Sequence, residues 1–252
     1  MLAVAALLLL PRLLAAAPAV EFRSDLTTNR RDGYRCYNSP SIVQQRCGPA
    51  PGTPTLLVFL EMRKGCSDNG FQIDIGLFRS TDAGRHWQRS LVHSESTPTE
   101  NVSLNCAAPV VDGHGRLHLL MTRNNFDVLY THSDSCGDSW APVQNISAQA
   151  KAPGWGWVAT TFSAIQLNAG PAAGRLVVGC DHADHNQRAA YPITTHHSHV
   201  MYSDDRGRSW RVGGSAPLNS SDEASVAQLS DGRIVMNSRN CERCTQRASF
   251  DF

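Results

Sequence analysis

The sequence predicts an all-β chain whose sheets repeat around a common centre, a β-propeller architecture, and three observations carry the prediction. An octet recurs as STDAGRHW at 80–87, SDSCGDSW at 133–140 and SDDRGRSW at 203–210. Short apolar runs with alternating or β-rich composition recur along the chain, separated by Gly, Asp, Asn and Pro. Beyond the first residues no window holds a helical period. A repeat of this size suits one four-stranded blade per interval, with an insertion in the longer second one.

Taken in order, residues 1–19 (MLAVAALLLLPRLLAAAPA) form an apolar run that ends in Ala17-Pro18-Ala19, the small-x-small form of a signal-peptidase site. Pro11 and Arg12 interrupt the run and disfavour a stable spanning helix. The expectation is a signal peptide over 1–19 and a propeller over 20–252. All eight cysteines lie downstream, together with three sequons beginning at Asn101, Asn145 and Asn219, as an oxidising secretory route permits. The expected location is the secretory pathway, with the product secreted or held in a lysosome-like compartment. Eight cysteines allow too many pairings for any disulfide to be assigned. Cys241-x-x-Cys244 lacks a second Cys pair or a spaced His pair, so a disulfide or two thiols accounts for it better than zinc.

The strand candidates follow: Leu56 to Leu60, Phe71 to Leu77, Leu117 to Met121, Val128 to Tyr130, Leu176 to Val178, Val200 to Tyr202 and Ile234 to Met236. Within each octet the Gly (84, 137, 207) supplies the positive φ of a tight turn, and the Ser and Asp side chains are placed to bond turn amides. The Trp (87, 140, 210) supplies a large apolar plate. With 23 Lys and Arg against 22 Asp and Glu, and no basic stripe interleaved with aromatics, the chain carries no electrostatic footprint for nucleic acid.

The octet is the Asp box, and the chain resembles the sialidase family, whose six-bladed propeller carries such boxes on its outer hairpins. The resemblance implies that about four of six blades are present here. The box is structural in that family and does not mark the active site. The second copy departs from the pattern, with Ser135 where Asp is usual.

Two segments carry the chemistry that the resemblance implies. LLVFLEMRKGCSDNGFQIDIGLFR (56–79) is similar to the sialidase segment in which a strand ending in Glu-x-Arg leads into a loop holding an Asp. This implies that Arg63 contacts substrate and that Asp68 is the acid/base. Departure of an aglycone needs a proton at the glycosidic oxygen, which a carboxyl on a closing loop can deliver. Read locally, Asp68 is also a turn residue in Ser67-Asp68-Asn69-Gly70. DEASVAQLSDGRIVMNSRN (222–240) resembles the family stretch from the catalytic Glu to an Asn-x-Arg. It implies that Glu223 activates the nucleophile and that Arg239 is one of three arginines gripping the substrate carboxylate. A three-residue loop at Ser230-Asp231-Gly232 sets Glu223 opposite Arg239, whereas a two-residue Asp231-Gly232 turn sends Arg239 to the other face. Both registers stand at this point, as does a plain surface Glu/Arg pair.

Sialic acid carries a carboxylate on its anomeric carbon, which guanidinium groups clamp through paired, charge-assisted hydrogen bonds. The same charge repels a carboxylate nucleophile, and sialidases are the glycosidases known to use Tyr instead. Three further stretches, 105–125, 163–182 and 199–210, extend the resemblance over most of the chain from about Tyr34. Within them Asp112 and Asn124 are assigned to the pocket lining, with a turn role the equal alternative for each. No metal and no cofactor is implied. His182, His185, His197 and His199 invite a metal reading, but no carboxylate ligand is clearly placed beside them.

The match fails in two places. Where the family has Tyr/Phe-Arg-Ile-Pro, this chain has Tyr37-Asn38-Ser39-Pro40, and Arg35 would face the opposite side of a strand. Residues 247–252, RASFDF, resemble a fourth Asp box, and the third arginine and the Tyr nucleophile would lie beyond them. The reading implied is a retaining exo-α-sialidase acting on terminal sialic acid of glycoproteins, gangliosides and oligosaccharides. It meets a membrane only through lipid-linked substrate. The alternative is a non-catalytic carbohydrate-binding propeller.

Overall fold

A computed structural model describes residues 23, 25–47, 54–184, 196–217, 220–240 and 247–251. The signal-peptide expectation, Cys241-x-x-Cys244, His185 and Asn219 fall outside the described residues. The chain builds three four-stranded antiparallel sheets and one of three strands, each a simple meander. The first holds β1 (Cys36–Gln45), β2 (Thr55–Arg63), β3 (Ile73–Ser80) and β4 (Gln88–His93). The second holds β5 (Leu104–Val111), β6 (Leu117–Arg123), β7 (Asp127–Ser133) and β8 (Gln144–Asn145), followed by a single helical turn, α1 (Ser147–Ala150). The third holds β9 (Trp155–Gln166), β10 (Leu176–Asp184), β11 (His196–Ser203) and β12 (Arg211–Ser215). The fourth holds β13 (Ser221–Gln228), β14 (Ile234–Asn240) and β15 (Arg247–Asp251). The first strands β1, β5, β9 and β13 pack beside one another in sequence, as the inner strands of consecutive propeller blades do.

Alternation along the middle strands builds the core. Leu117, Leu119 and Met121 of β6 face Leu57, Phe59, Ile75 and Leu77 of the first blade. Their neighbour Leu120 points the other way, toward Val178 and Met201 of the third. In β10, Leu176 and Val178 join that cluster, and Val177 packs with Val226 and Met236 of the fourth blade. A strand sandwiched between two neighbours must be apolar on both faces, which is why the middle strands read as continuous hydrophobic runs. Each fully buried Leu or Ile contributes roughly 1.5–3 kcal/mol.

The octets connect the third and fourth strands of three blades. Gly84, Gly137 and Gly207 have φ of 86°, 83° and 80°, and the residues before them, Ala83, Cys136 and Arg206, are also left-handed. Two consecutive positive φ values make the tight primed turn that suits the twist of a hairpin. Ser80, Ser133 and Ser203 each accept the N–H of that Gly through Oγ, at 2.9, 2.9 and 2.8 Å. Asp82 and Asp205 accept the N–H four residues on, both at 2.9 Å. Ser135 fills the same place, its Oγ accepting Ser139 N–H at 2.9 Å, so the departure from Asp leaves the turn intact. The octets also lock blade to blade. Trp140 lies edge-on to Phe59 of the first blade and Trp210 edge-on to Tyr130 of the second. A Cβ on Gly207 would collide with the Tyr130 ring and hydroxyl, so the close approach calls for glycine.

The pairing of β15 corrects one expectation. Ser80, Ser133 and Ser203 pair with Leu56, Leu117 and Leu176, the first or second residues of the middle strands. In the fourth blade Ile234 occupies that opening place, but Ser249 pairs with Asn237 and Asp251 with Val235. Ser249 and Asp251 therefore sit too early in the sheet for Ser249 to be the first residue of a fourth octet.

Candidate functional site

Each inner strand is broken by a bulge at the same end of its blade. Opposite two steps of its partner, β1 makes three between Asn38 and Ser41, β5 three between Asn105 and Ala108, and β13 three between Ser221 and Ala224. The β9 bulge is larger and lies between Thr160 and Ala164. Ser39, Cys106 and Phe162 take φ of 52°, 59° and 62° there, a region that residues with a Cβ rarely occupy. Non-Gly residues held in such conformations cluster at functional sites, because a bulge re-aims side chains out of the regular pleat. Here the bulges converge on one cavity of about 520 Å³, into which β1 sends Asn38 and Ser39, β5 Asn105 and Cys106, β9 Thr160 and Phe162, and β13 Asp222 and Glu223.

Arg63, Asp68 and Glu223 line this cavity together. Arg63 ends β2 and is 3% exposed, with Nε donating to Glu61 Oε2 at 2.9 Å and Nη2 to the same oxygen. Its Nη1 donates to Asp68. Glu61 accepts Cys106 N–H at 2.9 Å through its other oxygen, so one buried carboxylate ties the Arg63 strand to the β5 bulge. Burial pushes the Glu61 carboxyl up from its ordinary range, against the opposing pull of Arg63 and the Cys106 amide. Asp68 sits on the loop after β2, its side chain 76% exposed. The Cys36–Cys66 disulfide and the bond from Asn105 Nδ2 to Asp68 O, 3.0 Å, hold that loop at the cavity mouth.

The fourth-blade hairpin takes the three-residue loop. Leu229 N–H donates to Arg233 O at 2.8 Å, Gly232 has φ of 90°, and Val226 faces Met236. Arg239 then meets Glu223, Nη1 to Oε2 at 3.0 Å, and lies 3.6 Å from Asp222. Asn38, at the place where the resemblance puts the first arginine, reaches the cavity wall.

Two assignments are corrected. Asp112 follows β5 at the end away from the bulge, roughly 20 Å along the strand from Cys106, and does not line the cavity. Its Oδ1 accepts His114 N–H and Arg116 N–H, both at 2.9 Å, and its Oδ2 accepts Arg206 Nε at 2.9 Å from the next blade's octet. Asn124 is a turn residue with φ of 52°, and its Oδ1 is taken by Ser103 N–H at 2.9 Å. Its neighbour Asn125 lines the cavity instead.

Burial opposes the charge of Asp112, but the Arg116 amide, Arg206 and His118 hold its pKa down to about 2. A carboxylate depressed in the folded state stabilises fully above its unfolded pKa and loses that contribution as pH falls through the folded value. We expect Asp112→Asn to cost about 2 kcal/mol at neutral pH and much less near pH 2. Urea denaturation of both proteins at the two pH values measures this, and a pH-independent difference would refute it.

Sequence reading missed Glu61, Asp181, His196 and Asp222. Of the histidines singled out, His182 and His199 bond through their Nδ1 atoms at 3.1 Å and Trp155 stacks on His182, making an aromatic cluster. The carboxylates Asp181 and Asp222 converge on His196 instead. No local motif marks these three, because strand pairing within the third blade brings Asp181 and His196 together and packing of the fourth blade brings Asp222 to them.

A family model described as a BNR repeat-like domain matches residues 55–251. A sialidase from Micromonospora viridifaciens is 28% identical over 88% of this chain and 36% of that protein. Human sialidase-4 is also 28% identical, over 86% of this chain and 47% of that protein, and a Paraclostridium sordellii sialidase is 24% identical over 78% and 52%. The chain thus spans about a third to a half of the length of these relatives. Among solved structures, a Hadza microbial sialidase superposes with a TM-score of 0.74 at 22% identity, covering 88% of this chain and 45% of that one. Trypanosoma rangeli sialidase in complex with sialic acid gives 0.66 at 18%, covering 87% and 36%. The chain belongs to the BNR repeat-like domain family and is a sialidase-family protein.

Proposed function

We propose that the cavity is a sialic-acid site and that the chain supplies part of a retaining exo-α-sialidase. What supports the reading is the convergence of Arg63, Asp68 and Glu223 on one cavity, with Arg239 hydrogen-bonded to Glu223. Arg63 and Arg239 grip the carboxylate on the anomeric carbon through charge-assisted hydrogen bonds. Asp68, on the exposed loop, delivers a proton to the departing glycosidic oxygen. Glu223 takes the proton of a Tyr hydroxyl, which the sialidase resemblance puts beyond residue 252, and so lets it attack without bringing a second carboxylate to the reacting carbon. The substrates are terminal sialic acids of glycoproteins, gangliosides and oligosaccharides, the last two classes differing only in whether a lipid carries the glycan. The Cys36–Cys66 and Cys47–Cys136 disulfides favour a secretory compartment for this chemistry.

The 252-residue chain is expected to bind sialyllactose and not lactose, with Arg239→Ala weakening binding by roughly tenfold or more. It should turn over an aryl sialoside poorly or not at all, and Asp68→Ala should remove any turnover there is. Equal binding of lactose, or wild-type binding by Arg239→Ala, would sink the proposal. A second reading, a sialic-acid-binding propeller without catalysis, draws on Asn38, which brings no positive charge to a cavity wall where the resemblance expects an arginine. Tight sialyllactose binding with no turnover in a chain extended past residue 252 would favour it.

A further inference from the structure

Three ligating groups that the sialic-acid reading leaves unused meet at the cavity: Asp181 of β10, His196 of β11 and Asp222 of β13. Their donor atoms all lie within 4.8 Å of one another, about twice the length of a bond from a divalent cation to oxygen or nitrogen. Asp181 is 1% exposed and His196 8%, and neither Asp181 Oδ2 nor His196 Nδ1 has a hydrogen-bond partner. Buried polar atoms without partners are costly, and here two of them face the same small space. His196 Nδ1 stands 3.7 Å from Asp222 Oδ1, too far for a hydrogen bond and near the separation of two ligands on one metal ion. Trp157 stacks on the His196 ring with centroids 4.8 Å apart, which fixes the ring plane. Arg239 approaches Asp222 at its other oxygen, leaving Oδ1 turned toward His196.

We propose that Asp181, His196 and Asp222 form a binding site for a first-row divalent cation, zinc foremost, which joins the third blade to the fourth. An imidazole and two carboxylates make three protein ligands, which would leave the fourth position of a tetrahedral zinc ion open toward the cavity. The site goes beyond the sialidase reading, and its test uses no sugar.

The 252-residue chain, stripped with chelator, is titrated calorimetrically with zinc, and with manganese and calcium in parallel. The expected result is saturable binding of about one zinc equivalent, with a rise in melting temperature. Affinity should fall at least about tenfold in both Asp181→Asn and His196→Gln. Binding should persist in His182→Gln and in the double variant Cys241→Ser/Cys244→Ser, which separate the site from the neighbouring histidines and from the Cys241-x-x-Cys244 pair. Asp181→Asn keeps the side-chain shape, and its metal-free circular dichroism should match that of the parent. No saturable zinc binding, wild-type binding by both ligand variants, loss only in the cysteine variant, or preference for calcium would each overturn the proposal.

Discussion

Arg63→Met is expected to lower the unfolding free energy by about 3–5 kcal/mol, because it leaves the Glu61 carboxylate buried with only the Cys106 amide to hold it. Glu61→Gln is expected to be nearly as damaging for the mirror reason, a guanidinium 3% exposed that loses its main partner. The double variant tests the account. With both charges gone no ion is stranded, so Glu61→Gln/Arg63→Met should be more stable than Arg63→Met alone and recover most of the loss. Urea denaturation of the four proteins closes the cycle, and additive losses would show that the pair is not coupled. Stability and binding separate in the same cycle, because the recovered double variant still lacks the guanidinium and should not bind sialyllactose.

Trp210→Ala is expected to cost about 3–5 kcal/mol. Trp210 is 3% exposed and packs in the cluster between the second and third blades, edge-on to Tyr130 at 5.6 Å. Its removal leaves a void between two blades that the rigid octet turn cannot close. Trp210→Phe should keep more than half of the stability, since the ring remains against Tyr130. Trp87 in the first octet is only half-buried, against Val58, Leu60 and Phe78, and its replacement by Ala should cost clearly less. Equal losses at the two positions, by thermal or urea denaturation, would contradict the blade-locking account.

These contrasts also explain what could be read from the sequence. The apolar runs that marked strands fall in β2, β3, β6, β7, β10, β11 and β14, the strands with a neighbour on each side and, for the most part, blades on both faces. The inner strands gave little signal, because their cavity ends carry Asn38, Asn105, Thr160 and Glu223 where a core strand would carry Val or Leu. The outer strands β4, β8 and β12 are short and largely exposed, which removes any reason for alternation. The octets were legible in full, since their chemistry is local. Asp68, Arg63, Glu223 and Arg239 were found through a resemblance, whereas Glu61 was passed over although it stood two residues from Arg63. Asp112 misled for a physical reason: an Asp-Gly turn next to a strand looks the same whether its carboxylate serves a ligand or the turn's own amides.

The repeated bulge has a consequence for how such a protein can change. Because every blade notches its innermost strand at an equivalent height, the protein exposes a ring of sockets whose occupants are replaceable one at a time while the meander behind each stays put. A substitution at Asn38 would be one such edit. A lineage can thus alter what the cavity recognises by point substitution at the bulges, with the strand pairing behind them retained.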